Sequence, residues 1–284
     1  MSTKLVTARA RLDSGLEIAA IEAGPRDAPT ILFIHGIAQS KRAFERVLAG
    51  PLAATHRLVA LDLRGHGDSD APAPGAPLSR AMLADDVDAV IEELELSRPW
   101  LAGWSFGGVV IGEYLRRFGE AGLGGLLYLA GSVRTGRDAT ALFGPAMMAH
   151  ARSLMSEDPA VYEVAARAFL VDSAAVAHAP DAIDAIDAMH AEMLRVPAHV
   201  RRPLLAGGED YLPALAATRL PVATIHGTLD PVVLPAMSDL LATARPDATA
   251  IRIPGAGHMP WIETPALFEA AIARITSASA PPPR

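Results

Sequence analysis

The chain has 284 residues, of which 51% are hydrophobic and 20% are charged, so it has enough apolar material for a sizeable core. Its formal net charge of −7 argues against binding to a nucleic-acid backbone, which requires a basic face. The absence of cysteine excludes disulfides, thiolate metal sites and a cysteine nucleophile, and it is compatible with the cytoplasmic location that we expect.

The first half of the chain is predicted to alternate strands and helices. Residues 4–23 alternate weakly around the turn signal Asp13-Ser14-Gly15, which predicts a hairpin at a sheet edge. Continuous apolar runs follow, and runs of strand length are typical of strands covered on both faces. The predicted strands are 30–34, 57–62, 98–103 and 123–130, and the predicted helices are 40–49, 79–95 and 108–119.

The pattern changes between residues 132 and 214, where helical spacing and scattered prolines predict several short helices. Alternation then returns, with predicted strands at 221–226 and 248–253 and predicted helices at 231–244 and from 264 onward. This order implies an α/β core of residues 1–131 and 215–284, with a mostly parallel, doubly wound sheet of about eight strands. Residues 132–214 are predicted to form an inserted helical cap.

The segment Gly103-Trp104-Ser105-Phe106-Gly107 lies between a predicted strand and a predicted helix. In this context a G-x-S-x-G pattern favours a sharp turn that exposes the serine hydroxyl above a helix N-terminus, with glycines where neighbouring chain passes closely. A glycine-rich turn without chemistry is the alternative, because short motifs also match by accident. Residues elsewhere in the chain are needed to choose between a catalytic serine and a purely structural turn.

A serine nucleophile needs a base, and the base needs an orienting carboxylate. Both are expected in loops at the carboxyl ends of parallel strands. Asp230 follows strand 221–226 and His258 follows strand 248–253. Taken singly, Asp230 is more simply a helix cap and His258 a turn residue. The order Ser105, Asp230, His258 along the chain favours the catalytic interpretation.

With these residues identified, the chain resembles the α/β-hydrolase superfamily over about residues 15–276. The resemblance depends on the motifs His35-Gly36, Asp62–Ser69, Gly103–Gly108, His226–Asp230 and Gly257-His258. It implies that Ser105 is the nucleophile, that His258 is the general base and then the acid, and that Asp230 orients the imidazole. It also implies an oxyanion hole made by the backbone N–H groups of Ile37 and Phe106.

The residue type at position 105 bears on the reaction. Superfamily members that open epoxides or displace halide use aspartate at this turn, so Ser105 favours acyl chemistry. The nine histidines are scattered and lack the spacing of a clustered metal site, so we expect no metal and no other cofactor. We expect hydrolysis of small, apolar carboxylic esters through an acyl-enzyme.

Several alternatives stay open at this point. A lactonase, for example of the acyl-homoserine-lactone kind, or an acyltransferase or perhydrolase would use the same residues. A non-catalytic ligand receptor on the same fold is the alternative of another class. The expected partner is a small-molecule ester or lactone, with no nucleic acid and no membrane, and the chain is expected to be a monomer or a homodimer.

The substrate contacts are predicted less directly than the catalytic residues. Cap methionines and aromatic residues are expected mostly to pack among themselves, with a few lining an adaptable apolar cavity. Arg201 and Arg202 are interpreted as a solvated basic face, although they could meet an anionic substrate. Arg64, His66 and His226 are interpreted as structural. The predicted substrate-binding residues are His35, Gly36, Phe143, Met147 and Met259.

Overall fold

An eight-stranded sheet lies at the centre of the computed structural model, which describes residues 4–175 and 180–278. Its strand order is β1-β2-β4-β3-β5-β6-β7-β8. The strands are β1 (Val6–Arg11), β2 (Glu17–Ala23), β3 (Thr30–Ile34), β4 (Arg57–Leu61), β5 (Trp100–Trp104), β6 (Gly125–Leu129), β7 (Val222–Gly227) and β8 (Thr249–Ile253).

The sheet is mostly parallel. Only the pairs β1–β2 and β2–β4 are antiparallel, and the five remaining pairs are parallel. Every residue of β3 to β7 is buried, because both faces of these strands are covered. The predicted doubly wound sheet of about eight strands and its edge hairpin are confirmed.

The helices follow the predicted order along the chain. They are α1 (Glu45–Leu48), α2 (Arg80–Glu93), α3 (Gly107–Phe118), α4 (Pro145–Leu154), α5 (Pro159–Ser173), α6 (Pro180–Arg195), α7 (Ala198–Leu205), α8 (Leu212–Ala217), α9 (Ala236–Ala244), α10 (Pro260–Glu263) and α11 (Pro265–Ala278). Within the described ranges, no helix is long and apolar enough to cross a membrane.

Helices α4 to α8 fill the segment between β6 and β7, where the sequence predicts the cap. Four prolines of this segment mark where helices begin: α4, α5 and α6 each start at a proline, and Pro197 directly precedes α7. A proline suits this place because the first helical N–H has no partner within the helix. Pro203, in contrast, lies inside α7. The exact domain limits stay a prediction, and α8 extends past the predicted cap end at residue 214.

Two predicted helices differ from the structure. The segment 40–49 holds a 3-10 turn, Lys41–Phe44, before the short α1. The helix predicted from residue 231 begins only at Ala236. The intervening residues are held in a non-helical form by the start of the cap, because Leu234 N donates to Leu142 O and Gly144 N donates to Val232 O, both at 2.9 Å.

The replacement Gly103→Ala tests the close approach of α3 to β5. A Cβ at Gly103 would lie 2.5 Å from the carbonyl carbon and oxygen of Gly107, and neither atom can move without displacing α3. We expect a loss of about 3 kcal/mol in the free energy of unfolding, measured by urea denaturation.

Gly119→Ala provides the comparison for this measurement. A Cβ there would have nothing within 4 Å, but the backbone, at φ 75° and ψ −155°, favours glycine almost exclusively, so a loss of about 1–2 kcal/mol is expected. A loss at Gly103 no larger than the loss at Gly119 would contradict the steric argument.

Candidate active site

Ser105 occupies a strained turn between β5 and α3. Its φ of 53° lies in the left-handed region, which costs a residue with a Cβ about 1 kcal/mol or more. Two main-chain hydrogen bonds hold this conformation against β6 and the loop after it: Ser105 N donates to Leu129 O at 3.1 Å, and Ser132 N donates to Ser105 O at 2.9 Å. The predicted strand–turn–helix context of the serine is therefore confirmed.

Gly108, three residues after the serine, allows this approach. A Cβ on Gly108 would meet the backbone oxygen of Ser132 at 2.7 Å and its nitrogen at 2.8 Å. The short distance between α3 and the loop that follows β6 therefore requires glycine at position 108.

Asp230 and His258 meet at the carboxyl ends of β7 and β8. His258 Nδ1 lies 2.8 Å from Asp230 Oδ2, and both side chains are buried. The other carboxylate oxygen of Asp230 accepts from the N–H groups of Val232 at 2.8 Å and Val233 at 3.1 Å. One carboxylate therefore holds the turn after β7 and also orients the imidazole, so the two interpretations of Asp230 are compatible.

His226 is a further partner of this carboxylate. Its Nε2 lies 3.1 Å from Asp230 Oδ2 and 2.7 Å from Val233 O, while its Nδ1 lies 2.7 Å from Ser238 Oγ. Since both neighbours of Nε2 are acceptors, Nε2 carries the proton and Nδ1 accepts from the Ser238 hydroxyl. The hydroxyl of Thr224 lies 2.7 Å from that of Ser238 and extends the buried chain of polar groups.

The sequence interpretation of His226 as structural left out this contact with Asp230. A signal was available, because His226 and Asp230 stand four residues apart in the His-Gly-x-x-Asp motif. The motif places both side chains at the end of β7, but its spacing alone does not show that they touch.

The surroundings of Asp230 favour its ionised form. Burial alone would raise the pKa of this carboxyl, but the charge of His258 and the hydrogen bonds from His226 and His258 outweigh it and lower the pKa to about 2. Asp230 is therefore an anion throughout the neutral range, as a group that stabilises an imidazolium must be.

Ser105 and His258 border one small cavity of about 20 Å³, together with Gly36, Ile37 and Met259. Among the described residues, no hydrogen bond joins the Ser105 hydroxyl to the His258 ring. Such contacts are often long before substrate binds and shorten in the reacting complex.

Two hydrogen bonds fix the position of His258 relative to strand β5, which leads to Ser105, and relative to the cap. The indole Nε1 of Trp104 donates to His258 O at 3.1 Å, and His258 N donates to the carbonyl of Ser173 at 3.1 Å. Trp104 belongs to β5 and Ser173 ends α5, so the backbone of His258 is held by both the core and the cap.

A larger cavity of about 310 Å³ opens on Ser105 between the core and the cap. Ile37 and Phe106 both line it beside the serine. Within the part of the chain that the structure describes, neither residue's N–H donates to another main-chain group. These two donors are thus available to a group bound beside Ser105, as an oxyanion hole requires.

The loop that carries Ile37 is held by two buried histidines. His35 Nδ1 bonds Gly36 O at 2.7 Å, and its Nε2 accepts from Leu63 N at 3.0 Å, while His66 Nε2 accepts from Ala38 N at 3.3 Å. Burial lowers the pKa of His35 to about 4 and that of His66 to about 3, so both rings are neutral near pH 7.

His35 was predicted to contact the substrate, and this placement corrects that expectation. The ring is fully enclosed, both of its nitrogens are bonded to main chain, and it borders neither cavity. Its function is to support the loop of Ile37. The structural interpretation of His66 agrees with its contacts, and so does that of Arg64, which pairs with the buried Asp86 at 2.6 Å.

The other predicted contact residues lie at the cavities. Phe143 and Met147 line the larger one, and Gly36 and Met259 line the smaller one. Met155 and Met193 from the cap join the larger cavity, while Met189 packs elsewhere. Arg201, interpreted from the sequence as solvated, is instead buried and lines the larger cavity, whereas its neighbour Arg202 is exposed.

No candidate metal centre is found in residues 4–175 and 180–278, because no group of three or more His, Asp or Glu side chains has a suitable arrangement.

Comparison with known proteins identifies the family of this chain. A family model described as the alpha/beta hydrolase family matches residues 31–271. The chain belongs to this family. The resemblance inferred from the motifs is thereby confirmed.

Two solved structures of similar proteins cover nearly the whole chain. The esterase RhEst1 from Rhodococcus sp. ECU1013 is 30% identical, with a TM-score of 0.87, over 99% of this chain and 100% of that one. A putative aryl esterase from Burkholderia cenocepacia is 25% identical, with a TM-score of 0.84, over 96% of this chain and 99% of that one.

The curated relatives match over much shorter stretches. Epoxide hydrolase 4 of Mus musculus is 35% identical over 98 residues, which are 34% of this chain and 27% of that protein. The matched part therefore amounts to only about a quarter of that relative's length.

The buried charge of Asp230 makes stability depend on pH. Its pKa is about 2 in the folded chain against an ordinary 3.8, so it contributes stability that is fully present above pH 4–5 and is lost as pH falls towards 2. We expect Asp230→Asn to lose about 2 kcal/mol of unfolding free energy at pH 7 through this effect.

Urea unfolding at several values between pH 7 and pH 3 measures the difference between the two proteins. The difference should shrink as the pH falls below 4, and a difference that stays constant to pH 3 would contradict the assignment. Asp13→Asn, in the exposed hairpin turn, is the control and should change stability little at any pH.

Proposed function

We propose that this chain is a serine hydrolase that cleaves small carboxylic esters with apolar groups through an acyl-enzyme. The observation that carries the proposal is the left-handed elbow at Ser105, which opens on the same small cavity as His258, itself hydrogen-bonded at 2.8 Å to the buried Asp230. A nucleophile, a base and an orienting acid are the three groups that acyl transfer requires.

In the first half of the reaction, the Ser105 Oγ attacks the ester carbonyl carbon while its proton passes to His258 Nε2. Asp230 stabilises the imidazolium through Nδ1–H. The tetrahedral oxyanion accepts hydrogen bonds from the N–H groups of Ile37 and Phe106. The bond to the alcohol oxygen then breaks, and the alcohol leaves with the proton from His258.

In the second half, His258 accepts a proton from water as the water oxygen attacks the acyl-enzyme carbonyl. The same two N–H groups stabilise the second oxyanion. The bond between the carbonyl carbon and Ser105 Oγ breaks, and the serine regains its proton from His258. The carboxylic acid is released, and the residues return to their starting protonation states.

Ser105 also distinguishes the proposed ester hydrolysis from the epoxide hydrolysis for which the Mus musculus relative is named. A carboxylate that opens an epoxide forms an alkyl ester, which water can then attack at its carbonyl. A serine in the same position would form an ether, which has no carbonyl and would not turn over. Ser105 therefore supports acyl chemistry, and the two esterase structures that match nearly the whole chain support it as well.

Covalent labelling with a fluorophosphonate tests the nucleophile. We expect the wild-type chain to be labelled and Ser105→Ala to be unlabelled and inactive on ethyl and p-nitrophenyl esters. Ser97→Ala, an exposed serine ahead of β5 at the opposite end of the strand, is the matched control and should be labelled like the wild type. Labelling that persists in Ser105→Ala would exclude Ser105 as the nucleophile, and no labelling of the wild type would favour a ligand receptor.

Replacement of Asp230 tests whether its carboxylate stabilises the protonated His258 during the reaction. Asp230→Asn is expected to lower kcat by about 10²–10⁴-fold, because the imidazole loses the anion that stabilises its protonated form. Circular dichroism should show an unchanged fold near pH 7. A kcat within tenfold of the wild type would mean that another group orients His258.

The choice between ester, lactone and acyl acceptor is tested with the unlabelled wild type, because a phosphonylated Ser105 cannot form an acyl-enzyme. Release of the acyl group from Ser105 can be followed with water alone, with alcohols and with hydrogen peroxide. A faster release to an alcohol or a peroxide would make the chain an acyltransferase or a perhydrolase, and preferential turnover of simple lactones would make it a lactonase.

A further inference from the structure

Two buried arginines line the larger cavity beside Ser105. Arg80 is the first residue of α2, and Arg201 lies in α7 of the cap. Their exposed fractions are 9% and 4%. The other residues at this cavity are apolar or neutral, and no Asp or Glu among the described residues borders it. The cavity wall therefore carries two positive charges and no negative one.

The guanidinium of Arg201 is bonded only to neutral groups. Its Nε donates to Leu154 O at 3.0 Å, its Nη1 donates to Val196 O at 3.2 Å, and its Nη2 donates to Ser156 O. The ring of Tyr162 lies 3.6 Å from its Cζ. A ring face offsets only part of a buried cation's charge.

Arg80 is bonded in the same manner. It donates at 2.9 Å to the carbonyl oxygens of Leu204 and Ala206 and to the hydroxyl of Thr135. Arg80 also has a side-chain hydrogen bond with the Tyr211 hydroxyl. A guanidinium has five N–H groups, so Arg201 keeps two donors beyond its three bonds and Arg80 keeps one beyond its four. None of its acceptors carries a charge.

These two arginines differ from the other buried cations in the described residues. Each of the others has a carboxylate oxygen within 2.7 Å: Lys41 with Asp62, Arg57 with Glu22, Arg64 with Asp86, and Arg245 with Asp247. Among the described ion pairs, none includes Arg80 or Arg201. Burying a charge without a counter-ion costs free energy, and an anionic ligand in this cavity would supply the counter-ion.

The position of His258 indicates which part of an ester meets these arginines. His258 borders the small cavity and not the larger one. In the proposed mechanism the leaving alcohol takes its proton from His258, so the alcohol part has to lie on that side of Ser105. The acyl part then extends into the larger cavity, past Val109 and Phe143 and towards the arginines.

We propose that the acyl part of the substrate ends in a carboxylate, so that the chain cleaves half-esters of dicarboxylic acids and binds the free carboxylate with Arg201 and Arg80. The inference rests on the proposed esterase function and narrows its substrate class. The apolar wall accommodates the methylene segment, and the unused guanidinium N–H groups bind the terminal carboxylate.

Monoethyl adipate and ethyl hexanoate form a matched substrate pair, because a carboxylate in the first replaces a methyl group in the second. Release of ethanol gives kcat/KM for both. We expect the wild type to favour the half-ester by about tenfold or more, because hydrogen bonds to charged groups contribute this much. Arg201→Gln and Arg80→Gln should each lower this preference by about 10- to 100-fold.

Two further variants separate charge from structure. Arg201→Lys keeps the positive charge but loses the fork that bonds the cap carbonyls, so it should retain more of the preference than Arg201→Gln. Arg202→Gln alters the adjacent exposed arginine, which pairs with Glu157, and should leave the preference unchanged. A preference that is absent in the wild type, or that is unaffected by both glutamine variants, would overturn the inference while leaving the esterase proposal intact.

A binding measurement makes the inference independent of turnover. In titration calorimetry with Ser105→Ala, which cannot cleave the esters, monoethyl adipate should bind at least tenfold more tightly than ethyl hexanoate, and the advantage should fall when Arg201→Gln or Arg80→Gln is added. Failure of the esterase proposal would appear differently, as no Ser105-dependent cleavage of either ester. In that event the calorimetry alone decides, and equal affinity for the two esters would reject the anion site.

Discussion

The geometry of the site depends on the parallel alignment of β5, β7 and β8, which brings three loops to one edge of the sheet. Ser105 follows β5, Asp230 follows β7 and His258 follows β8, although 153 residues separate the first from the last. Because all three strands point the same way, their carboxyl ends lie at the same edge of the sheet. The cap can therefore be inserted between β6 and β7 without disturbing this convergence.

Most of the core could be predicted from the sequence, because its signals are local. Strands β3 to β7 are short apolar runs bounded by turn residues, and both the pattern and its length are visible without any tertiary information. The start of α9 was predictable only in part. Pro235, inside the predicted helix 231–244, is a local signal against a helix before it. The hydrogen bonds that hold residues 232–234 to Leu142 and Gly144, some 90 residues earlier, have no such signal.

In the candidate site, too, the features with local sequence signals were predictable and those decided by packing were not. The order of Ser105, Asp230 and His258 could be read from motifs at strand ends, because a strand end fixes where a loop lies. Which way a side chain points is decided by packing, so His35 was expected in the cavity and lies behind it. Arg201 and Arg202 are identical in type and adjacent in sequence, yet a turn of about 100° along α7 buries one and exposes the other.

The cap is joined to the acid and the base by main-chain bonds. Its first segment pairs with the turn that Asp230 organises, and the end of α5 accepts a hydrogen bond from the backbone of His258. A movement of the whole cap away from the core would have to break these bonds and would remove part of the support of Asp230 and His258. Admission of reactants is thus better served by side-chain rearrangement around a fixed frame, for which the flexible thioethers along the wall are well suited.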